Sequence, residues 1–86
     1  MDTEITLAAD RDRYVLTVDG SPVGKALYTD EGATRTFVHT EVDPQFSGHG
    51  LGTQLVAFAV ADAREAGKTV EATCPLVSAY LAKHPA

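Results

Sequence analysis

An α+β fold in one domain over residues 1–86, with a mostly antiparallel sheet and the order β-β-β-α-β-α, is predicted by three observations. Short β-prone runs alternate with turn dipeptides through the first half of the chain. A stretch with a 3.6-residue apolar period follows a cluster of glycines. A last β-prone stretch then separates that main helix from a short, proline-led C-terminal helix. A chain of this length builds one core that buries roughly 60–65 % of the surface its unfolded form exposes, with no room for a second.

Residues 3–8 (TEITLA) are expected to form a short edge strand. Tyr14-Val15-Leu16-Thr17-Val18 and Val23-Gly24-Lys25-Ala26-Leu27-Tyr28 flank Asp19-Gly20-Ser21-Pro22. Asp-Gly between two such runs is a strong hairpin signal, because both residues tolerate positive φ. A second turn, Asp30-Glu31-Gly32, leads into residues 34–42, where Thr36, Val38 and Thr40 alternate with Phe37, His39 and Glu41. This period of two completes a three-stranded meander and places Phe37, His39 and Glu41 on one face. From Gly50 to Ala66, Leu51, Leu55, Val56, Phe58, Ala59, Val60 and Ala63 fall on one arc of a helix, with Thr53, Gln54, Arg64 and Glu65 opposite. Asp62 alone interrupts the apolar arc. Gly67 ends the helix, 68–73 reads as a strand, and Pro75 fits the first turn of a helix carrying Leu76, Val77, Tyr80 and Leu81.

The bulk numbers exclude several function classes. With 44 % hydrophobic and 22 % charged residues the composition is that of a globular chain, and a net charge of -5 lacks the clustered cations that nucleic acid requires. The longest mostly apolar run, Leu55 to Ala61, is far short of the roughly 20 residues a bilayer needs, so no membrane partner is expected. Met1 leads into Asp2 and Glu4 instead of a signal core, and the one cysteine, Cys74, has no internal disulfide partner, so a cytoplasmic setting is expected. His39, His49, His84 and Cys74 show none of the short paired spacings of structural zinc, so no metal site is expected. A cysteine hydrolase would pair Cys74 with a histidine and an orienting group, and nothing in the spacing favours it.

Gly48-His49-Gly50-Leu51-Gly52 lies between a strand ending near Val42 and a helix starting near Gly50. Its amides therefore point outward at the positive end of a helix dipole, where a phosphate can be received. A glycine inside a helix costs on the order of 1 kcal/mol against alanine, so Gly52 calls for a reason: tight packing on the sheet, or room for a ligand beside the amides. The turn is neither a P-loop, since no Gly-Lys-Ser/Thr follows, nor a dinucleotide fingerprint, since Thr53 stands where the third glycine would be. Cys74, at the start of the final helix, is either a thiol with a lowered pKa or a small buried hydrophobe. His39 is either a general base or a half-buried histidine bonded to its surroundings. Glu41 orients His39, acts as a base through a water, or is an ordinary exposed strand acid.

Ser47-Gly48-His49-Gly50-Leu51-Gly52 resembles the Arg/Gln-x-x-Gly-x-Gly/Ala signature of the GCN5-related N-acetyltransferases. From about residue 13 onward the chain is similar to their minimal NATD1/YidJ-like branch in four ordered segments: His39-Thr40-Glu41-Val42-Asp43-Pro44, Ser47-Gly48-His49-Gly50, Cys74-Pro75-Leu76-Val77, and Tyr80 to the terminal His84-Pro85. It departs from that branch at Ser47, where Arg or Gln is usual, at Pro44, one residue late after Asp43, and at Leu76, where Phe is usual. The resemblance implies a GNAT-like fold that binds acetyl-CoA. The backbone of the strand at Thr40 and Val42 would then align the pantetheine, and Gly48, His49, Gly50, Leu51, Gly52 and Thr53 would take the pyrophosphate. It implies that Cys74, His39, Glu41 and Tyr80 surround the thioester, Tyr80 as proton donor to the departing thiolate, and that Lys83 and His84 lie near the phosphates. Tyr80 read without it is a core aromatic, and Lys83 and His84 are favourable charges at a helix end. The implied activity is acetyl transfer to an unidentified amine or protein acceptor, directly or through Cys74, by a monomer or weak dimer. The alternative is a non-catalytic module that binds coenzyme A or its acyl forms, or a protein surface, because the helices that precede the core strands in full-length acetyltransferases are missing from the pattern.

Overall fold

Asp19 and Gly20 both adopt left-handed backbone, φ 50° and 83°. That pair of positive angles makes a two-residue hairpin turn whose twist matches the flanking strands. The hairpin is therefore tighter than expected, and Ser21 and Pro22 already belong to the second strand. The structure, a computed structural model, describes residues 2–46 and 48–85. Ser47 lies outside them.

The strands are β1 (Thr3–Ala8), β2 (Arg13–Val18), β3 (Ser21–Glu31), β4 (Thr34–Val42) and β5 (Thr69–Ala72), and the helices are α1 (Leu51–Glu65) and α2 (Pro75–Lys83). Short 3-10 turns occupy Ala9–Arg11 and Pro44–Phe46. The sheet runs in chain order, β1-β2-β3-β4-β5. The first four strands are antiparallel, and α1 carries the chain across to β5, which pairs with β4 in parallel. The α+β class and its element order are thus as expected, with the segment 3–8 as the edge strand.

Leu51, Leu55, Val56, Ala59, Val60 and Ala63 are buried on α1 and meet Tyr14, Leu16, Val18, Ala26, Tyr28 and Phe37 from the sheet. Each large side chain removed from water in this layer contributes roughly 1.5–3 kcal/mol. Phe58, expected on the apolar arc, is 42 % exposed; it lies at the rim, its ring edge-on to Tyr14 at 6.2 Å. Asp62 has a partner that explains it. Its carboxylate accepts the Tyr14 hydroxyl at 2.7 Å, Tyr14 accepts Nη1 of Arg35 at 2.8 Å, and Arg35 reaches Asp30 with two bonds of 2.8 and 3.0 Å. Arg35 is only 7 % exposed and lies 4.1 Å from the centre of the Tyr28 ring, so the acid on α1 completes a polar network around a buried cation.

The uninterrupted alternation expected over residues 34–42 is overturned. Leu27 pairs with His39 but Tyr28 with Phe37, so Val38 is a bulge. One extra residue reverses the phase of the strand. Phe37 faces the core, whereas His39 and Glu41 come out on the opposite, helix-free face, and Thr40 and Val42 turn inward. β4 and β5 pair only from Thr34↔Thr69 to Phe37↔Ala72. The amides of Thr73 and Cys74 then both donate to the Phe37 carbonyl, at 3.0 and 3.3 Å, and the chain leaves into α2. Residues 38–42 consequently keep β3 on one side and, among the described residues, have no strand on the other.

Candidate functional site

β4 ends where Asp43 donates its amide to Val23 at 2.7 Å and accepts the Gln45 amide on its carboxylate at 3.1 Å. That turn accounts for the extra Asp43 ahead of Pro44: the acid holds the amide that opens the 3-10 turn. The chain then reaches Gly48 and Gly50, both left-handed at φ 85° and 73°, with open space where a side chain would stand. Gly52 is different. It is helical, and a Cβ there would meet nothing closer than Val42 at 3.8 Å and Leu76 at 3.9 Å, which is ordinary contact. Tight packing therefore does not require this glycine.

Gly50 is the N-cap of α1 and makes no side-chain cap bond, and the first turn carries no acid. The first intrahelical bond at this end is Gln54 N–H to the Gly50 carbonyl at 3.1 Å, which leaves the amides of Leu51, Gly52 and Thr53 without helix acceptors. Open space, left-handed glycines and amides without an acceptor among the described residues, at a helix N-terminus, fit a diphosphate. His49 is exposed on the same turn.

Cys74 is the N-cap of α2 and is 6 % exposed. Its Sγ lies 3.4 Å from Oγ1 of Thr40, across the gap between β4 and α2. Burial pushes the thiol up. Hydrogen bonds from the Thr40 hydroxyl and from the amides of Val77, Leu76 and Thr40 outweigh it, holding the group below its ordinary value. His39 and Glu41 form a second pair, Nε2 to Oε2 at 3.2 Å, exposed on the other face, with Lys25 3.9 Å from the same carboxylate. His39 is thus neither half-buried nor beside Cys74: the strand lies between them, and the imidazole is on the wrong face to take the thiol's proton.

Tyr80 stacks on His84 with ring centroids 4.3 Å apart. Both line a cleft of about 300 Å³ between α1 and α2, together with Thr53, Val56, Leu76 and Lys83. Arg64 on α1 donates to the His84 carbonyl at 2.8 Å and ties down the end of α2. The fold thus gathers the expected phosphate-side residues Thr53, Lys83 and His84 around Tyr80, and it sets Val42 beside Gly52 at the end of the free edge of β4.

The sequence pattern described as GCN5-related N-acetyl-transferase matches residues 13–86, which contain every one of these features. The chain belongs to this family. Solved acetyltransferase structures share its fold. A GNAT-family protein from Desulfovibrio desulfuricans is 28 % identical with a TM-score of 0.62, covering 70 % of this chain and 41 % of its own. Ard1 from Thermoplasma volcanium is 26 % identical, TM-score 0.64, covering 74 % and 45 %. A GCN5-like protein from Staphylococcus aureus, at 22 % identity, has a TM-score of 0.69 and covers 93 % and 78 %. This acetyltransferase-family chain therefore spans less than half the length of the first two. No curated protein matches it significantly.

Sequence reasoning missed two contributors to the site of this family member. Leu76 and Val56 line the α1–α2 cleft; the signal was an apolar residue, Leu76, directly after the proline that starts α2. The bulge at Val38 had no local signal at all, since Thr-Phe-Val-His-Thr reads as unbroken strand.

Proposed function

We propose that this family member binds acetyl-CoA along the free edge of β4 and across the N-terminus of α1, and transfers the acetyl group to an amine. One observation carries the reading. The backbone of residues 38–42, which among the described residues has no strand on the β5 side and only the Cys74 sulfur against the Thr40 amide, leads directly to a helix N-terminus opened by left-handed glycines and without a side-chain cap on Gly50. Extended backbone edges and free amides are the two things a pantetheine amide chain and a diphosphate require of a protein. Acetyl-CoA supplies, when bound, an acetyl group activated as a thioester.

The residues of the chain divide the remaining work. Thr40 and Val42 present backbone groups along the edge, and the amides from Gly48 to Thr53 hold the diphosphate, with Lys83 adding positive charge and His84 a ring N–H from α2. His39, oriented by Glu41, takes the proton from an amine approaching across the open face of the sheet, and Tyr80 holds a proton on the helix side. The open pair His39–Glu41 favours direct attack by the amine, since Cys74 is buried and lies on the other face. The lowered thiol favours a second route through an acetylated Cys74. The four ordered segments ally the chain with the YidJ-like branch, and a monomer or weak dimer in a reducing compartment suits its lone buried thiol.

The deciding experiment is calorimetric titration with acetyl-CoA followed by mass spectrometry of protein and amine products. Saturable binding and acetylated amine are expected, and His39→Gln should cut turnover by roughly 10²–10⁴-fold, the usual worth of a general base. An acetyl adduct on Cys74 that amines discharge would shift the mechanism to the second route. Binding without transfer to any amine would leave a coenzyme A-sensing module, and absence of binding would sink both.

A further inference from the structure

Arg11, Arg13 and Lys25 converge on a cavity of about 500 Å³ on the helix-free face of the sheet, whose other walls include Val15, Glu41 and Asp43. Three of the seven Lys and Arg residues thus share one groove in a chain with twelve acids. Arg13 donates Nε to the Arg11 carbonyl at 3.2 Å, which fixes the orientation of its guanidinium. Among the described residues, the ion pairs of basic side chains involve Lys25, Arg35, His39 and Lys68, so Arg11 and Arg13 have no carboxylate partner. Two unpaired guanidiniums at one end and two acids at the other give the groove a charge gradient.

The sheet register gives that gradient a length. Arg13 is opposite Leu27 on β3, and Leu27 is opposite His39 on β4, so Arg13 and His39 stand two strand spacings apart, roughly 10 Å. Val15, Lys25 and Glu41 form the next row. A molecule seated across β2, β3 and β4 with its ammonium at the acidic end therefore presents its far end to Arg13 and Arg11.

We infer that this groove takes the acetyl acceptor and that the acceptor is a small aminocarboxylate. Its amine faces His39, Glu41 and Asp43, and its carboxylate is held by Arg11 and Arg13. The inference rests on the transfer reading above and adds the class of acceptor to it. In the reaction His39 first takes one proton from the ammonium and frees its lone pair; the neutral nitrogen then forms a bond to the acetyl carbon as the carbon–sulfur bond breaks, the sulfur leaves with the electron pair and is protonated by Tyr80, and the nitrogen's second proton passes to solvent, from which Tyr80 is reprotonated. A polyamine would set its second charge against the two guanidiniums, and a plain alkylamine would leave them unused. Arginine forks bind planar carboxylates with paired hydrogen bonds, which makes the carboxylate the group the site selects.

The probes are glycine, β-alanine and γ-aminobutyrate, set against propylamine and butylamine. Turnover with acetyl-CoA should favour at least one aminocarboxylate over the alkylamines by roughly 10- to 100-fold in kcat/KM, the worth of a charged hydrogen bond. Arg11→Gln with Arg13→Gln should remove that preference through KM, Arg→Lys at both positions should restore part of it, and the acetyl-CoA Kd, measured on each variant, should stay that of the parent. Equal use of alkylamines, or a double variant with unchanged KM, overturns the inference. NMR titration of the full chain with γ-aminobutyrate, without acetyl-CoA, reads the groove independently. Shifts confined to the amides of Arg13, Val15, Lys25 and Glu41 with no turnover would refute transfer while leaving the aminocarboxylate site standing, and no shifts would overturn the site.

Discussion

Cys74 shows how one residue's chemistry depends on its immediate donors. The amides at the start of α2 and the hydroxyl of Thr40 favour the thiolate more than burial disfavours it. The rate of iodoacetamide alkylation should therefore rise with pH at a midpoint below that of a free cysteine, and Thr40→Val should move it upward. Cys74→Ala should leave acetyl-CoA affinity close to that of the parent, since the proposed binding groups are backbone; a large loss in calorimetry would show the thiol to be structural. Asp30 offers a second test. The bonds from Arg35 hold its carboxyl below the usual carboxylate range, against a smaller opposing effect of burial. A depressed folded-state value means that the pair stabilises the fold above the ordinary Asp range, and that this contribution is lost as pH falls through that range toward the folded-state value. Urea midpoints of the parent should drop between neutral and acid pH more steeply than those of Asp30→Asn.

Among the elements, α1 separates the two roles a glycine can have. Gly50 is left-handed, so Gly50→Ala forces a Cβ into a conformation that costs about 1–2 kcal/mol. Gly52 is helical with ordinary clearance, so Gly52→Ala should leave the fold as stable as before or raise its stability by up to about 1 kcal/mol. The same change sets a methyl beside the free amides and should weaken acetyl-CoA binding. Denaturant melts and calorimetry on the two variants check both halves. Loss of stability at Gly52→Ala would mean the glycine serves packing instead. β4 carries the other decision at this scale. Its bulge at Val38 turns Thr40 toward Cys74 and His39 toward solvent, so a single unpaired residue assigns the thiol and the imidazole to different sides of the sheet.

At the scale of the whole molecule, both helices cover one face of the sheet, and among the described residues no element covers the other. The chain spans 41–45 % of the first two solved relatives, so any wall that they build beyond this core has no counterpart within these residues. A small domain responds to a ligand as a unit. At a hundredfold excess over its Kd, acetyl-CoA should add roughly 2.7 kcal/mol, which for a domain of this size raises Tm by roughly 10–20 °C. Differential scanning fluorimetry with increasing acetyl-CoA checks this, and an unmoved Tm at saturating concentrations contradicts the proposed cofactor.

The elements, the Asp-Gly hairpin and the glycine turn ahead of α1 were determined by the sequence alone, because periodicity, capping and positive φ depend on residues a few positions apart. The burial of Arg35, the partner of Asp62, and the faces on which His39, Thr40 and Glu41 emerge were decided only by the tertiary structure. Each depends on strand register, and register is settled between segments distant in the chain: Arg35 meets Tyr14, Tyr14 meets Asp62, and Val38 bulges only because Leu27 and Tyr28 pair on either side of it. The groove of Arg11, Arg13 and Lys25 arises the same way, since no local pattern joins residues that come together only when β2, β3 and β4 are laid side by side.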